Sequence, residues 1–91
     1  MKVFDILNTI RNKGFNTRYS WDKDYGNGTS IWESGIYKSS KHRKPIGHIQ
    51  IGLYNDSKEV IGATLSYYSN HREIYEIESL SDVEKYLEKF A

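Results

Sequence analysis

The chain has 91 residues, 37% of them hydrophobic and 27% charged, with a net charge of +1 and no cysteine. This length makes one domain with one small core, and the missing cysteines exclude a disulfide framework and a thiolate metal site. The apolar run after Met1-Lys2 is too short for a signal peptide and no stretch could span a bilayer, so we expect a cytoplasmic protein with no membrane contact.

Lys2 to Lys13 reads as a helix, because Val3, Ile6, Leu7 and Ile10 recur at i, i+3, i+4 and i+7. Gly14 stands where a left-handed residue ends helices, and Arg11 and Lys13 suit the negative end of the helix dipole. Phe15 to Trp21 then alternates, with Phe15, Thr17, Tyr19 and Trp21 on one face and Asn16, Arg18 and Ser20 on the other. Asp22 to Gly28 has turn composition, with Asn27-Gly28 as a hairpin signal. Thr29 to Lys38 is a second strand in which Ile31 and Trp32 compete for burial, and Gly35 marks an expected bulge. Lys38 to Pro45 is the most polar segment and reads as an exposed loop.

The clearest signal is Ile46 to Tyr68. Ile49, Ile51 and Leu53 alternate with His48, Gln50, Gly52 and Tyr54. Ile61, Ala63, Leu65 and Tyr67 alternate with Val60, Gly62, Thr64, Ser66 and Tyr68. Asn55-Asp56-Ser57-Lys58 between them is turn chemistry, so the stretch predicts a hairpin with one apolar face. Ser69 to Arg72 is another turn, and Glu73 to Glu78 a short fifth strand. Leu80 to Phe90 closes the chain as a helix with Leu80, Val83, Leu87 and Phe90 on its stripe and Ser81 and Glu84 as its capping box. The expectation is an α+β fold in α-β-β-β-β-β-α order. A five-stranded antiparallel sheet has the N- and C-terminal helices packed on one face of a single compact domain. The other face stays open, carrying Arg18, His48, Gln50, Tyr54, Thr64 and Tyr68.

Charge is uneven along the chain. Residues 1–50 hold nine Lys/Arg against four Asp/Glu, and residues 51–91 hold four against eight. The basic loop Lys38, Lys41, His42, Arg43 and Lys44, with Ser39 and Ser40, suits phosphates or an acidic protein surface. Tyr54 and Tyr68 beside it would add stacking platforms, and these seven residues, Lys38, Lys41, His42, Arg43, Lys44, Tyr54 and Tyr68, are the expected partner-binding set. His42, His48 and His71 are scattered with no metal-ligand spacing. Asp22, Asp24 and Glu33 meet the first, third and twelfth positions of a calcium loop, but strand-like flanks argue against one. No nucleophile, base and orienting group gather, so we expect no enzyme, no cofactor and no metal.

The first twenty residues, MKVFDILNTIRNKGFNTRYS, resemble the opening of small prophage-encoded anti-CRISPR proteins that inhibit Cas9. Met1, Asp5, Ile10, Asn12, Lys13 and Ser20 coincide, and Ile6, Leu7, Arg11 and Phe15 are similar in type. The resemblance implies a helix before a small antiparallel sheet and an inhibitor that docks on a host protein handling nucleic acid. It also implies acidic residues presented to the protein surface that reads the target DNA. The comparable acidic region here is Glu73, Glu76, Glu78, Asp82, Glu84 and Glu88, with no position-by-position match. The layout is also similar to that of double-stranded-RNA-binding domains. Their basic last-helix start is replaced here by Ser81-Asp82-Val83-Glu84, which argues against that reading. The expected function is therefore a small binding protein of phage or mobile-element inhibitor type. The alternative is a nucleic-acid-binding module that uses the basic loop and the tyrosine-bearing face.

Overall fold

The structure, a computed structural model, describes residues 1–69 and 72–90, and the backbone alone of Tyr19, Ser20 and Trp21. The elements are α1 Val3–Asn12, β1 Asn16–Asp24, β2 Thr29–Tyr37, β3 Gly47–Tyr54, β4 Val60–Tyr67, β5 Glu73–Ile77 and α2 Leu80–Leu87, followed by a 3-10 turn at Glu88–Phe90. The five strands run antiparallel in chain order, β1-β2-β3-β4-β5. An isolated bridge, Lys2 to Glu59, ties the start of the chain to the β3–β4 turn. Among the described residues, no helix is long and apolar enough to cross a membrane. The turn expected at Ser69–Arg72 includes Asn70 and His71, which lie outside the described residues.

Both helices lie on one face of the sheet, as the periodicity implies. Val3, Ile6, Leu7 and Ile10 of α1 and Val83, Leu87 and Phe90 at the chain's end share one core with Ile36, Ile49, Ile51, Leu53, Ala63, Leu65 and Ile77 of the strands. Fully burying such a side chain contributes about 1.5–3 kcal/mol, so this cluster is the main stabilising term. Ser34 is a buried polar side chain whose hydroxyl donates to the Arg18 carbonyl at 2.5 Å, across the β1–β2 pair.

The ends of α1 follow from local chemistry. The Lys2 N–H donates to the Asp5 carboxylate at 2.8 Å, which also places a negative charge in the first turn. At the other end Gly14 takes φ +93°, its N–H donates to the Arg11 carbonyl, and the Phe15 N–H donates back to Ile10. This pair of bonds is a Schellman ending, and it turns the chain directly into β1.

Three local expectations are corrected. The α2 cap is Ser79 in place of Ser81: its Oγ accepts from the Asp82 N–H at 3.3 Å, and Asp82 accepts from the Glu78 N–H at 2.9 Å. Starting the helix at Leu80 puts Leu80 inside the first turn, where it packs on the core with Val83 and Leu87. The bulge expected at Gly35 is instead on β1, between Tyr19 and Trp21, while Gly35 pairs regularly with Arg18 and His48. A second irregularity falls where β4 begins. Gly52 pairs with Gly62 and Leu53 with Val60, so Ile61 is the extra residue. Val60 therefore packs against the core and Ile61 is 53% exposed, the reverse of strict alternation.

The C-terminal turn is locked by a close approach. Phe90 is buried against Phe15, with ring centroids 5.9 Å apart, and against Tyr67, at 4.8 Å. Its ring occupies the space where Gly47 lacks a side chain. Nearer the β5 edge, Tyr75 stacks on Tyr86 of α2 with centroids 4.2 Å apart and planes 7° from parallel. The Tyr75 hydroxyl donates to the Glu73 carboxylate. That bond, then burial and the Glu73 charge, push the phenol from its ordinary 10.0 up to about 12.

Candidate functional site

With the helices on one side, no described helix covers the opposite sheet face, and register fixes its pattern. One row across the strands reads Arg18, Gly35, His48, Ser66 and Ile74. The next reads Glu33, Gln50, Thr64 and Glu76, and the one beyond it Ile31, Gly52 and Gly62. The expected Arg18, His48, Gln50 and Thr64 are thus on this face. The His48 Nε2 lies 3.5 Å from a Glu33 carboxylate oxygen, an ion pair whenever His48 is protonated.

The basic loop is anchored to this face by Arg18. The guanidinium Nη2 donates to the carbonyls of Ser40 at 2.9 Å and His42 at 2.6 Å, with Ser39 at 3.4 Å. Beneath it lies the Tyr37 ring, 4.0 Å from the guanidinium carbon. Tyr37 in turn lies over Gly35, where an added Cβ would meet the ring at 2.9 Å. The loop also closes on itself, with Ser39 Oγ and His42 Nδ1 2.6 Å apart. Backbone carbonyls thus converge on Arg18, while the side chains of Lys38, Lys41, His42, Arg43 and Lys44 are exposed. Charge-assisted bonds of this kind are the stronger class of hydrogen bond, so this is a shaped presentation of positive charge.

Tyr68 is beside the loop's base: its N–H donates to the Ile46 carbonyl at 2.9 Å, and the Arg72 guanidinium lies 4.8 Å over its ring. Tyr54 is elsewhere. It ends β3 at the side opposite the loop, seven residues beyond Gly47, which at strand rise is roughly 23 Å. The two tyrosines do not flank the loop as a stacking pair. The calcium-like trio is also divided. Asp22 and Asp24 are in register with Trp32 and Ser30, whereas Glu33 sits on the opposite sheet face beside Gln50. Among the described residues, no group of three or more His, Asp or Glu could hold a metal ion.

Two features of the site were not singled out from the sequence. One is the Arg18 anchor, a lone basic residue in a strand, which carried no local signal. The other is a shallow groove of about 740 Å³ at the end of the face away from the loop. Its floor is the cross-strand pair Gly52 and Gly62, its apolar sides include Ile31 and Ile61, and its charged side chains are Glu76 and Glu78. Strand-interior glycines mark places where another group approaches the backbone, and that was the available signal. A second, more apolar cleft of about 340 Å³ lies between α1 and the sheet, near Phe4, Leu7 and Trp32. No family model, no curated protein and no solved structure matches this chain.

Proposed function

We propose that this domain is a non-enzymatic binding protein of the phage or mobile-element inhibitor type. In this reading it docks on a host protein that handles nucleic acid, as the anti-CRISPR-like opening of the chain implies. Docking uses the uncovered sheet face, with the Lys38–Lys44 loop as its electrostatic contact. The observation that supports a protein partner is the charge layout of that face. Positive charge is concentrated at the loop, but Glu33, Gln50, Thr64 and Glu76 form the row beyond it. A nucleic acid backbone tracking across the face from the loop would run over carboxylates, and like charges repel it. A protein surface of mixed sign has no such conflict.

The test is capture of partners from a bacterial lysate with and without nuclease, using the parent chain and a variant with Lys41, Arg43 and Lys44 each changed to Glu. The expected result is a protein captured equally with nuclease, lost by the triple reversal, with an unchanged melt, since exposed charges contribute little to stability. Direct binding to nucleic acid would instead vanish with nuclease. It would also fall steeply with salt, by a slope of about 0.9 per duplex phosphate neutralised. That outcome would replace this reading with the nucleic-acid-binding one.

A further inference from the structure

The groove on the uncovered face has a floor of bare backbone. Gly52 and Gly62 face each other across β3 and β4, and a Cβ built on Gly62 meets nothing within 4 Å. Glycine in a strand interior is unfavourable, because it gives up packing and conformational entropy. Two opposed glycines double that cost and leave a flat patch of bare peptide planes. On the same face the chain covers its other glycine itself: the Tyr37 ring lies on Gly35, and Arg18 stacks on the ring. Among the described residues, no side chain does this at Gly52 and Gly62.

We infer that the Gly52–Gly62 trough is the receptor for an aromatic side chain of the partner, flanked in the partner's sequence by Lys or Arg. An aromatic ring laid on glycine backbone restores the cross-strand packing that the glycines lack. Ile61, pushed outward by the bulge, and Ile31 supply apolar walls on either side of the ring. The choice of a cationic neighbour follows from charge. Glu76 and Glu78 are exposed, among the described residues no Lys, Arg or His side chain lines the groove, and the amino group of Met1, which also lines it, is paired with Glu59 at 3.1 Å. Gln50 and Thr64 are placed to hydrogen-bond the incoming backbone. The volume of about 740 Å³ is within the roughly 300–1,000 Å³ usual for ligand clefts, ample for one ring and its flanks. The trough lies five residues along β3 from the start of the strand beside the basic loop, roughly 17 Å away. The two contacts are therefore separate points on one docking surface. The inference rests on reading this face as that surface, and it adds the chemistry of the partner segment.

The experiment titrates the folded, isotope-labelled chain with an end-blocked Lys-Trp-Lys tripeptide and follows backbone amides by NMR. Lys-Ala-Lys and Glu-Trp-Glu serve as controls. Amide shifts centred on Gly52, Gly62 and Thr64, at least about tenfold weaker with either control, are the expected result. Gly62→Val fills the trough with a residue that strands favour, so it should keep or raise the melting temperature and abolish the shifts. The pair Glu76→Lys and Glu78→Lys gives a second reading that leaves the strand glycines alone, and it too should abolish them. Equal shifts with Lys-Ala-Lys, shifts centred elsewhere, or undiminished binding by folded Gly62→Val would each overturn the assignment. Failure of the docking reading is distinguishable. Reversing Lys41, Arg43 and Lys44 should leave tripeptide binding intact, whereas a chain with its trough filled that still captures its partner would refute the trough alone.

Discussion

Substituting Gly47 by alanine tests how the end of the chain is held to the sheet. The added Cβ would lie 2.3 Å from Phe90 Cε2 and 2.4 Å from the Ser66 carbonyl oxygen. Carbon atoms in contact settle at about 3.5–4.0 Å, and an approach under 3.0 Å to any heavy atom forces a shift, so both approaches are prohibitive as they stand. The ring could withdraw, because it ends a single 3-10 turn. The Ser66 carbonyl cannot move freely, because Ser66 is in the β3–β4 ladder opposite His48. Overpacking a tight core costs typically 1–3 kcal/mol, and two simultaneous clashes put Gly47→Ala at about 3 kcal/mol. For a domain of this size that lowers the melting temperature by roughly 12–24 °C. Urea and thermal unfolding followed by circular dichroism would measure it. Phe90→Leu, which pulls back the ring edge, supplies the check on mechanism. In its background Gly47→Ala should cost less than in the parent, by an interaction energy of about 0.5–3 kcal/mol. A Gly47→Ala chain melting within about 4 °C of the parent would refute the packing argument, as would strict additivity with Phe90→Leu.

Two further outcomes concern α2 and the β5 edge. Ser79→Ala should cost on the order of 1 kcal/mol in equilibrium unfolding, and Ser81→Ala far less; the opposite ranking would return the cap to Ser81. Tyr75 should ionise only at about pH 12, because its hydroxyl is bonded to Glu73. Its pKa is raised on folding, so its contribution to stability is intact below pH 10.0 and disappears as pH climbs through about 12. The phenolate absorbance of Tyr75→Phe should lack the step at about pH 12, and an unchanged titration would refute the assignment.

The strands and helices were legible because their periodicities are strong and uninterrupted. Ile49, Ile51 and Leu53 need only a period of two to be placed, and α1 only its stripe. What sequence could not supply were choices between equivalent local signals. Ser79-x-x-Asp82 and Ser81-x-x-Glu84 both satisfy the capping pattern, and only the fit of Leu80 to the core selects the first. Alternation read back from Tyr67 holds as far as Ala63 and then fails at Ile61, because a bulge obeys the pairing partner and not the strand's own pattern. The site shows the same division. Basic residues at 38–44 were visible as composition, but their anchoring on Arg18 is a contact across more than twenty positions of sequence. Tyr54 and Tyr68 shared a predicted face, yet strand length places them at opposite ends of it.

The irregularity between Tyr19 and Trp21 falls on β1, the first strand of the sheet and therefore one of its two edges. An edge presents unpaired backbone donors and acceptors, a template on which a second chain can grow a continuous ribbon. A bulge there breaks the spacing of that template, and the exposed Asp22, Lys23 and Asp24 that follow add charge to what remains. The opposite edge is blunted differently: β5 is only five residues long and carries Glu73 and Glu76. A chain protected at both borders can tolerate crowding without fibre formation. A visitor that approaches it finds regular, unguarded structure only on the broad face of the sheet.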